Sequence, residues 1–384
     1  MFFSAAAKSG APLAARAGGA PVVLWLFGCC ALIFLMVVVG GVTRLTLSGL
    51  SITEWEPVTG IVPPLTHAQW LAEFARYKEI PEYRLIHYGM TLAQFKGIYF
   101  WEYAHRLLGR VIGLAFAGPL LWFWLRGRLP RHLMPALLGI LALGFAQGFL
   151  GWYMVESGLA HRVEVSQYRL VAHLALALAI YSAILWTALG LVRVPGFRPA
   201  LLRPPADPHL SLPGGWRAGE GAPLAEGGRV WRRAAEVAIL LVAITIAAGG
   251  FTAGTRAGFV YNTFPLMDGR WVPVGYAQLQ PLWRNWFENV TAVQFNHRIL
   301  AMTTAAAVLL LWLAGRRASL PRAARLALHL LLTVAALQVA LGISTLLYVV
   351  PVPLAAAHQA GAVLLLSAAI LFRHTLRAVG QPMV

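Results

Sequence analysis

Residues 326–372 read LALHLLLTVAALQVALGISTLLYVVPVPLAAAHQAGAVLLLSAAILF, without one Asp, Glu, Lys or Arg. A helix needs about 20 apolar residues to cross the hydrocarbon of a bilayer. This run is too long for one crossing, and Pro351 and Pro353 divide it into two. Working outward, further uncharged runs occupy 17–43, 111–125 (extending back to about 98), 132–155, 170–192, 237–255 and 299–315 (extending back to about 291). The sum is eight helices. None of the runs has the period-2 alternation of barrel strands.

Composition supports the same class. Charged residues are 12% of the 384, hydrophobic residues 59%, and mean hydropathy is +0.68. A soluble domain carries roughly 25% charged residues. Disorder is excluded by the abundance of apolar side chains. The only cysteines, Cys29 and Cys30, are adjacent within the first apolar run, so they read as helix packing and exclude a disulfide framework. The expectation is an all-α polytopic membrane protein.

Lys and Arg set the orientation. With the N-terminus in the cytoplasm, 18 of the 31 Lys and Arg fall on the cytoplasmic side, but only four acids do: Asp207, Glu220, Glu226 and Glu236. The net charge of +17 therefore reads as topology and not as a nucleic-acid surface. Both termini are expected in the cytoplasm. Residues 1–21 read as a cytoplasmic tail, although they could pass for a poor transit peptide. Residues 193–234, rich in Pro, Gly and Ala, read as a cytoplasmic linker. They separate a first four-helix bundle, 22–192 with an outer loop at 41–96, from a second, 235–373, which is followed by a tail at 374–384. The outer segment 65–87 is expected as a helix on the membrane surface, anchored by Trp70, Phe74 and Tyr77.

The halves repeat. Gly40-Gly41-Val42-Thr43 ends the first helix and Gly249-Gly250-Phe251-Thr252 the fifth. Tyr103-Ala104-His105-Arg106 matches Phe295-Asn296-His297-Arg298, and Gln147-Gly148-Phe149-Leu150-Gly151 matches Gln338-Val339-Ala340-Leu341-Gly342. His173 of the fourth helix matches His358 of the eighth. Four features in one order make a parallel repeat.

The repeat nominates the chemistry. Ionisable groups inside a membrane are costly and mark function. Of eleven histidines, four hold matched helix positions: His105, His173, His297 and His358. The alternative for a lone membrane histidine is a satisfied polar group between helices. Two imidazoles at one level on facing helices suit axial ligation of a heme iron. Arg106 and Arg298 follow their histidines and could pair with heme propionates or snorkel to the outer interface. Glu102 precedes His105 by three residues, whereas Gln294 holds the matched position. Only the first half therefore adds a group that can accept or donate a proton, unless Glu102 serves as an ion pair with Arg106. A Glu-x-x-His di-iron site is set aside, because it needs several inward carboxylates.

At these residues the chain resembles the heme A synthase family, over about residues 22–373. The most specific strings are GGVTRLTLSGLSITEWEPVTGIVPP at 40–64 and MTLAQFKGIYFWEYAHRLLGR at 90–110, with His173, His297 and His358 beyond them. They are similar to the subgroup of alphaproteobacteria and mitochondria. The resemblance implies two four-helix bundles. It implies heme b as cofactor on His297 and His358, and substrate heme O between His105 and His173 with Glu102 beside it. It implies oxidation of the carbon-8 methyl of heme O to a formyl group by successive hydroxylations, giving heme A for terminal oxidases. A bacterial inner membrane, or a mitochondrial one, is the implied location. Implied partners are an unidentified electron-transfer protein, heme O synthase, oxidase assembly factors and further copies of the chain. One departure is clear: some bacterial members carry a cysteine pair in the first outer loop, and this sequence has none there.

Other classes predict other features. A di-heme electron carrier that moves electrons across the bilayer needs hemes at both faces, yet all four histidines fall near one. A heme transporter or chaperone gives no reason for Glu102 in one half only. A heme farnesyltransferase needs an Asp-rich diphosphate site, and this chain has only Asp207 and Asp268.

Overall fold

The computed structural model describes residues 19–54, 59–159, 163–192 and 228–377. Of the expected tail 1–21, linker 193–234 and tail 374–384, residues 1–18, 193–227 and 378–384 lie outside the described residues, while helices that begin at Ala20 and Gly228 and end at Thr375 take up part of the rest. Eight described helices are long and apolar enough to cross a membrane. They are α1 (Ala20–Leu45), α4 (Leu92–Leu125), α5 (Met134–Leu159), α6 (Gln167–Val192), α7 (Gly228–Gly254), α9 (Val290–Gly315), α10 (Arg322–Leu347) and α11 (Val352–Thr375). Shorter helices α2 (His67–Tyr77), α3 (Pro81–Leu85) and α8 (Asn285–Glu288) lie in the two long loops that precede α4 and α9. No strand occurs among the described residues.

Local chemistry sets the ends. Thr91 caps α4 in a reciprocal box with Gln94, and Asn289 accepts from Thr291 N and Ala292 N at the start of α9. Pro351 caps α11, and Val349 and Val350 take positive φ in the turn before it, so the long apolar run does break at its prolines. At 1.5 Å per residue, the 34 residues of α4 reach about 50 Å. That exceeds the roughly 30 Å hydrocarbon core, so the start of α4 stands clear of it.

Helix α1 packs on α4 and α6, and α5 packs on both α4 and α6. In the same way α7 packs on α9 and α11, and α10 packs on both α9 and α11. The two rings of four meet where α1 touches α11 and α6 touches α7 and α11. The largest apolar core runs along this seam, through Leu26, Ile33, Ile184, Val242, Leu366 and Phe372.

The outer loop before α4 differs from the expected surface helix. Phe74 and Tyr77 are buried and do not face outward as anchors. Phe74 stacks on Phe95 at 5.0 Å, and Trp70 meets Tyr99 edge-on at 5.0 Å. The protruding start of α4 offers α2 an apolar wall, which an isolated amphipathic helix would otherwise seek in lipid.

Candidate functional site

Each of the four histidines stands over a glycine of another helix in its own half. A β-carbon on Gly40 of α1 would lie 3.1 Å from His105 Nε2 on α4. One on Gly151 of α5 would lie 3.0 Å from His173 Cε1 on α6. The corresponding distances are 3.0 Å from Gly249 of α7 to His297 Cε1 on α9, and 2.8 Å from Gly342 of α10 to His358 Cε1 on α11. Any larger residue at these glycines meets an imidazole.

The repeated strings now acquire separate jobs. In Gln147-x-x-x-Gly151, the glutamine amide donates to His173 O at 3.0 Å while the glycine lies under the ring. Gln338 donates to His358 O at 2.9 Å, and Gly342 lies under that ring. In the Gly-Gly pairs, the first glycine faces a histidine of its own half. The second faces the other half: Gly41 meets Gln359 of α11, and Gly250 meets Val171 of α6. The role of Gln147 and Gln338 could have been read from their fixed four-residue distance to a glycine, one helical turn along the same face.

Fit to a heme can be tested on the side chains. No group of three or more His, Cys, Asp or Glu among the described residues could hold a bare metal ion. A two-histidine site needs a metal that brings its other ligands with it, as a porphyrin iron does. His297 Nδ1 and His358 Nδ1 are buried with no hydrogen-bond partner, an arrangement that costs free energy unless another atom satisfies them. The second-half pair therefore fits the group, whereas in the first half Gln147 Nε2 stands 3.2 Å from His173 Nδ1 and 3.3 Å from its Nε2.

Glu102 is 2% exposed and fully engaged. Its Oε2 accepts from Ser51 Oγ at 2.7 Å and from Ile52 N at 2.8 Å. Its Oε1 accepts from Arg106 Nη2 at 2.7 Å and Nε at 3.1 Å, so the i,i+4 ion pair forms. Arg106 also donates to Ile52 O at 2.8 Å and Glu54 O at 3.0 Å, which ties the outer loop to α4. In the second half Arg298 donates to Tyr261 O, to Thr263 O at 2.7 Å and to Gln294 Oε1 at 3.3 Å. Gln294 in turn donates to Ala257 O at 2.8 Å and to Val260 O. Each arginine staples a loop, but only the first rests on a carboxylate. An amide cannot change its charge; a carboxylate can.

Cys29 and Cys30 are buried, free thiols on α1. Of the seven other histidines, His87 contacts Tyr77, and His161 and His209 lie outside the described residues.

Known proteins place the chain. The family model described as COX15-CtaA, cytochrome oxidase assembly protein, matches residues 23–370. A heme A synthase of Nitrosospira multiformis is 50% identical over 357 residues, which cover 93% of this chain and 94% of that protein. A heme A synthase of Rhodospirillum centenum is 48% identical over 370 residues, 96% of this chain and 92% of its relative. Heme A synthase COX15 of Arabidopsis thaliana is 44% identical over 360 residues, 92% of this chain and 74% of the plant protein. With this coverage, and with eight apolar helices carrying the paired histidines, the chain belongs to the COX15-CtaA family of cytochrome oxidase assembly proteins.

Proposed function

We propose that the protein is a membrane oxidoreductase that converts heme O to heme A by successive hydroxylations of the carbon-8 methyl. The observation that carries this reading is the asymmetry around two similar histidine pairs: a carboxylate, Glu102, stands three residues before His105, and an amide, Gln294, stands three residues before His297.

His105 and His173 hold the substrate heme in the first half, and His297 and His358 hold heme b in the second. Heme b, when bound, supplies one-electron transfer to or from the substrate site. Gly40, Gly151, Gly249 and Gly342 leave each ring room at the helix surface, and Gln147 and Gln338 fix the backbone behind His173 and His358. Glu102 takes up or releases the protons that each hydroxylation moves, and Ser51 and Ile52 N hold its Oε2 in place. Arg106 and Arg298 serve as loop staples whose charge also favours propionates nearby.

The two rings of four helices are two copies of one unit, 22–192 and 235–373. The protein sits in a bacterial inner membrane with both termini cytoplasmic, and it meets an electron-transfer partner, heme O synthase and oxidase assembly factors, with homo-oligomers among its assemblies. A tag at either terminus should be reachable only from the cytoplasmic side. The reaction is tested by supplying heme O to the purified protein with a reductant and oxygen: wild type forms heme A. Failure of wild type to form heme A or a hydroxylated intermediate would sink the reading.

A further inference from the structure

Outside the histidine pairs, the loop over the first half buries a second carboxyl group. Glu82 of α3 is 3% exposed and takes part in no ion pair among the described residues. It accepts a hydrogen bond from Tyr77 Oη at 3.2 Å, and the same hydroxyl lies 2.6 Å from His87 Nδ1. A buried acid without a cation is costly as a carboxylate, and is stable as a neutral acid or as part of a proton-exchanging group. The charged and titratable groups that act on it are Tyr77 on α2, Glu102 on α4, Glu164 after α5 and Arg44 at the end of α1. Arg44 is committed elsewhere: its Nη2 lies 2.6 Å from Glu164 Oε2 and 3.1 Å from Ala253 O.

His87 lines an open depression of about 540 Å³ at the outer face, with room for water. Thr46, Ser48 and Trp101 form other parts of its wall. Thr46 Oγ1 and Ser48 Oγ are 2.7 Å apart. Ser48 O accepts from Ser51 N at 3.3 Å, and the Ser51 hydroxyl donates to Glu102. Trp101 is the neighbour of Glu102 in sequence. The depression thus has the Thr46 and Ser48 hydroxyls on one wall, Ser48 standing three residues before the Ser51 that bonds Glu102, and the His87 imidazole that contacts Tyr77 on another.

We propose that Glu82, Tyr77 and His87 form a proton-exchanging station at the outer face, which passes protons to and from Glu102 through water in the depression bounded by Thr46, Ser48 and Trp101. Glu82 is a positioning residue in this role, since it acts through Glu102; the proposal rests on the heme-oxidation reading for what Glu102 does. Only protons move: one leaves a carboxyl oxygen as another arrives, and no bond to carbon changes. Burial pushes the Glu82 carboxyl up to about 8, with the charges of Glu102 and Glu164 adding to the rise while the Tyr77 hydrogen bond and Arg44 oppose it. Such a group can be loaded or emptied near neutral pH.

The test uses full-length, heme-loaded protein with Glu82→Gln and Glu82→Asp. Glu82→Gln should slow heme A formation by roughly tenfold or more, and should remove the limb of the pH–rate profile near pH 8, with bound heme b unchanged. Glu82→Asp should restore part of that limb. A Glu82→Gln profile that superimposes on wild type would overturn the station while leaving the oxidation reading intact. Infrared titration of the same proteins reads the acid without turnover. A protonated-carboxyl band lost near pH 8 in wild type and missing in Glu82→Gln supports the assignment; no Glu82-dependent band overturns it.

Discussion

The side-chain amide of Gln359 occupies the space that a β-carbon on Gly41 would need: that carbon would lie 1.9 Å from Gln359 Oε1. The amide also donates to Val37 O at 2.8 Å, one turn before Gly41 on α1. Gln359 follows His358, and Gly41 follows the glycine beneath His105. One contact across the seam therefore ties the backbone of a second-half histidine to the helix that abuts a first-half one.

Gly41→Ala should displace the Gln359 amide and remove its hydrogen bond, at about 1 kcal/mol. The far end of a glutamine can swing away, so the loss stays modest, whereas Gly41→Leu forces the helices apart and should cost several times more. Thermal unfolding in detergent measures both. Adding Gln359→Ala to Gly41→Ala should cost less than the sum of the single changes, because both act on one contact.

Gly342→Val should expel heme b, because the new side chain meets the His358 ring, whose Cε1 would lie 2.8 Å from the β-carbon. His297→Ala or His358→Ala should do the same. Heme b per chain, read by the pyridine hemochrome method, checks this; full retention in the histidine variants would remove the cofactor assignment. Gly151→Val should instead spare heme b and reduce the substrate heme that copurifies.

Glu102→Gln should fold in the membrane and keep heme b but stop conversion: the amide oxygen can still accept from Arg106 and the NH2 can donate to Ser51 Oγ, with the bond from Ile52 N lost, but the amide cannot carry a proton. Arg106→Ala should do more damage. It leaves Glu102 buried without its cation and frees Ile52 O and Glu54 O, at a cost of about 3–5 kcal/mol. Normal heme A formation by Glu102→Gln would contradict the acid–base role.

Stability should fall as pH rises from about 4.5 toward 8. Glu82, raised from 4.5 to about 8 chiefly by burial, keeps a proton in the folded protein that the unfolded chain has already lost. Between these values the folded state binds more protons, so its advantage is full below 4.5 and is lost as pH passes 8. Thermal unfolding across this range in wild type and Glu82→Gln isolates the effect; equal slopes would contradict it.

Much of this was legible in the sequence, for physical reasons. A bilayer imposes length and polarity on its spans, so eight helices and their breaks at Pro351 and Pro353 can be read directly. Matched strings drew attention to His105, His173, His297, His358 and Glu102. What stayed hidden depends on tertiary packing. The division of labour within Gly40-Gly41 requires knowing which helix lies on each side. No motif in the sequence sets Glu82 apart, and only the fold of α2 and α3 onto α4 buries it. Phe74 and Tyr77 carried the pattern of a surface anchor, and the pattern does not distinguish lipid from the wall of a protruding helix.

If the two halves hold different hemes, extraction of heme from the purified protein, with mass spectrometry of each porphyrin, should yield heme b together with heme O, heme A or a hydroxylated intermediate. Two heme b per chain, and no other porphyrin, would contradict that difference and favour an electron carrier in which Glu102 has no chemical task.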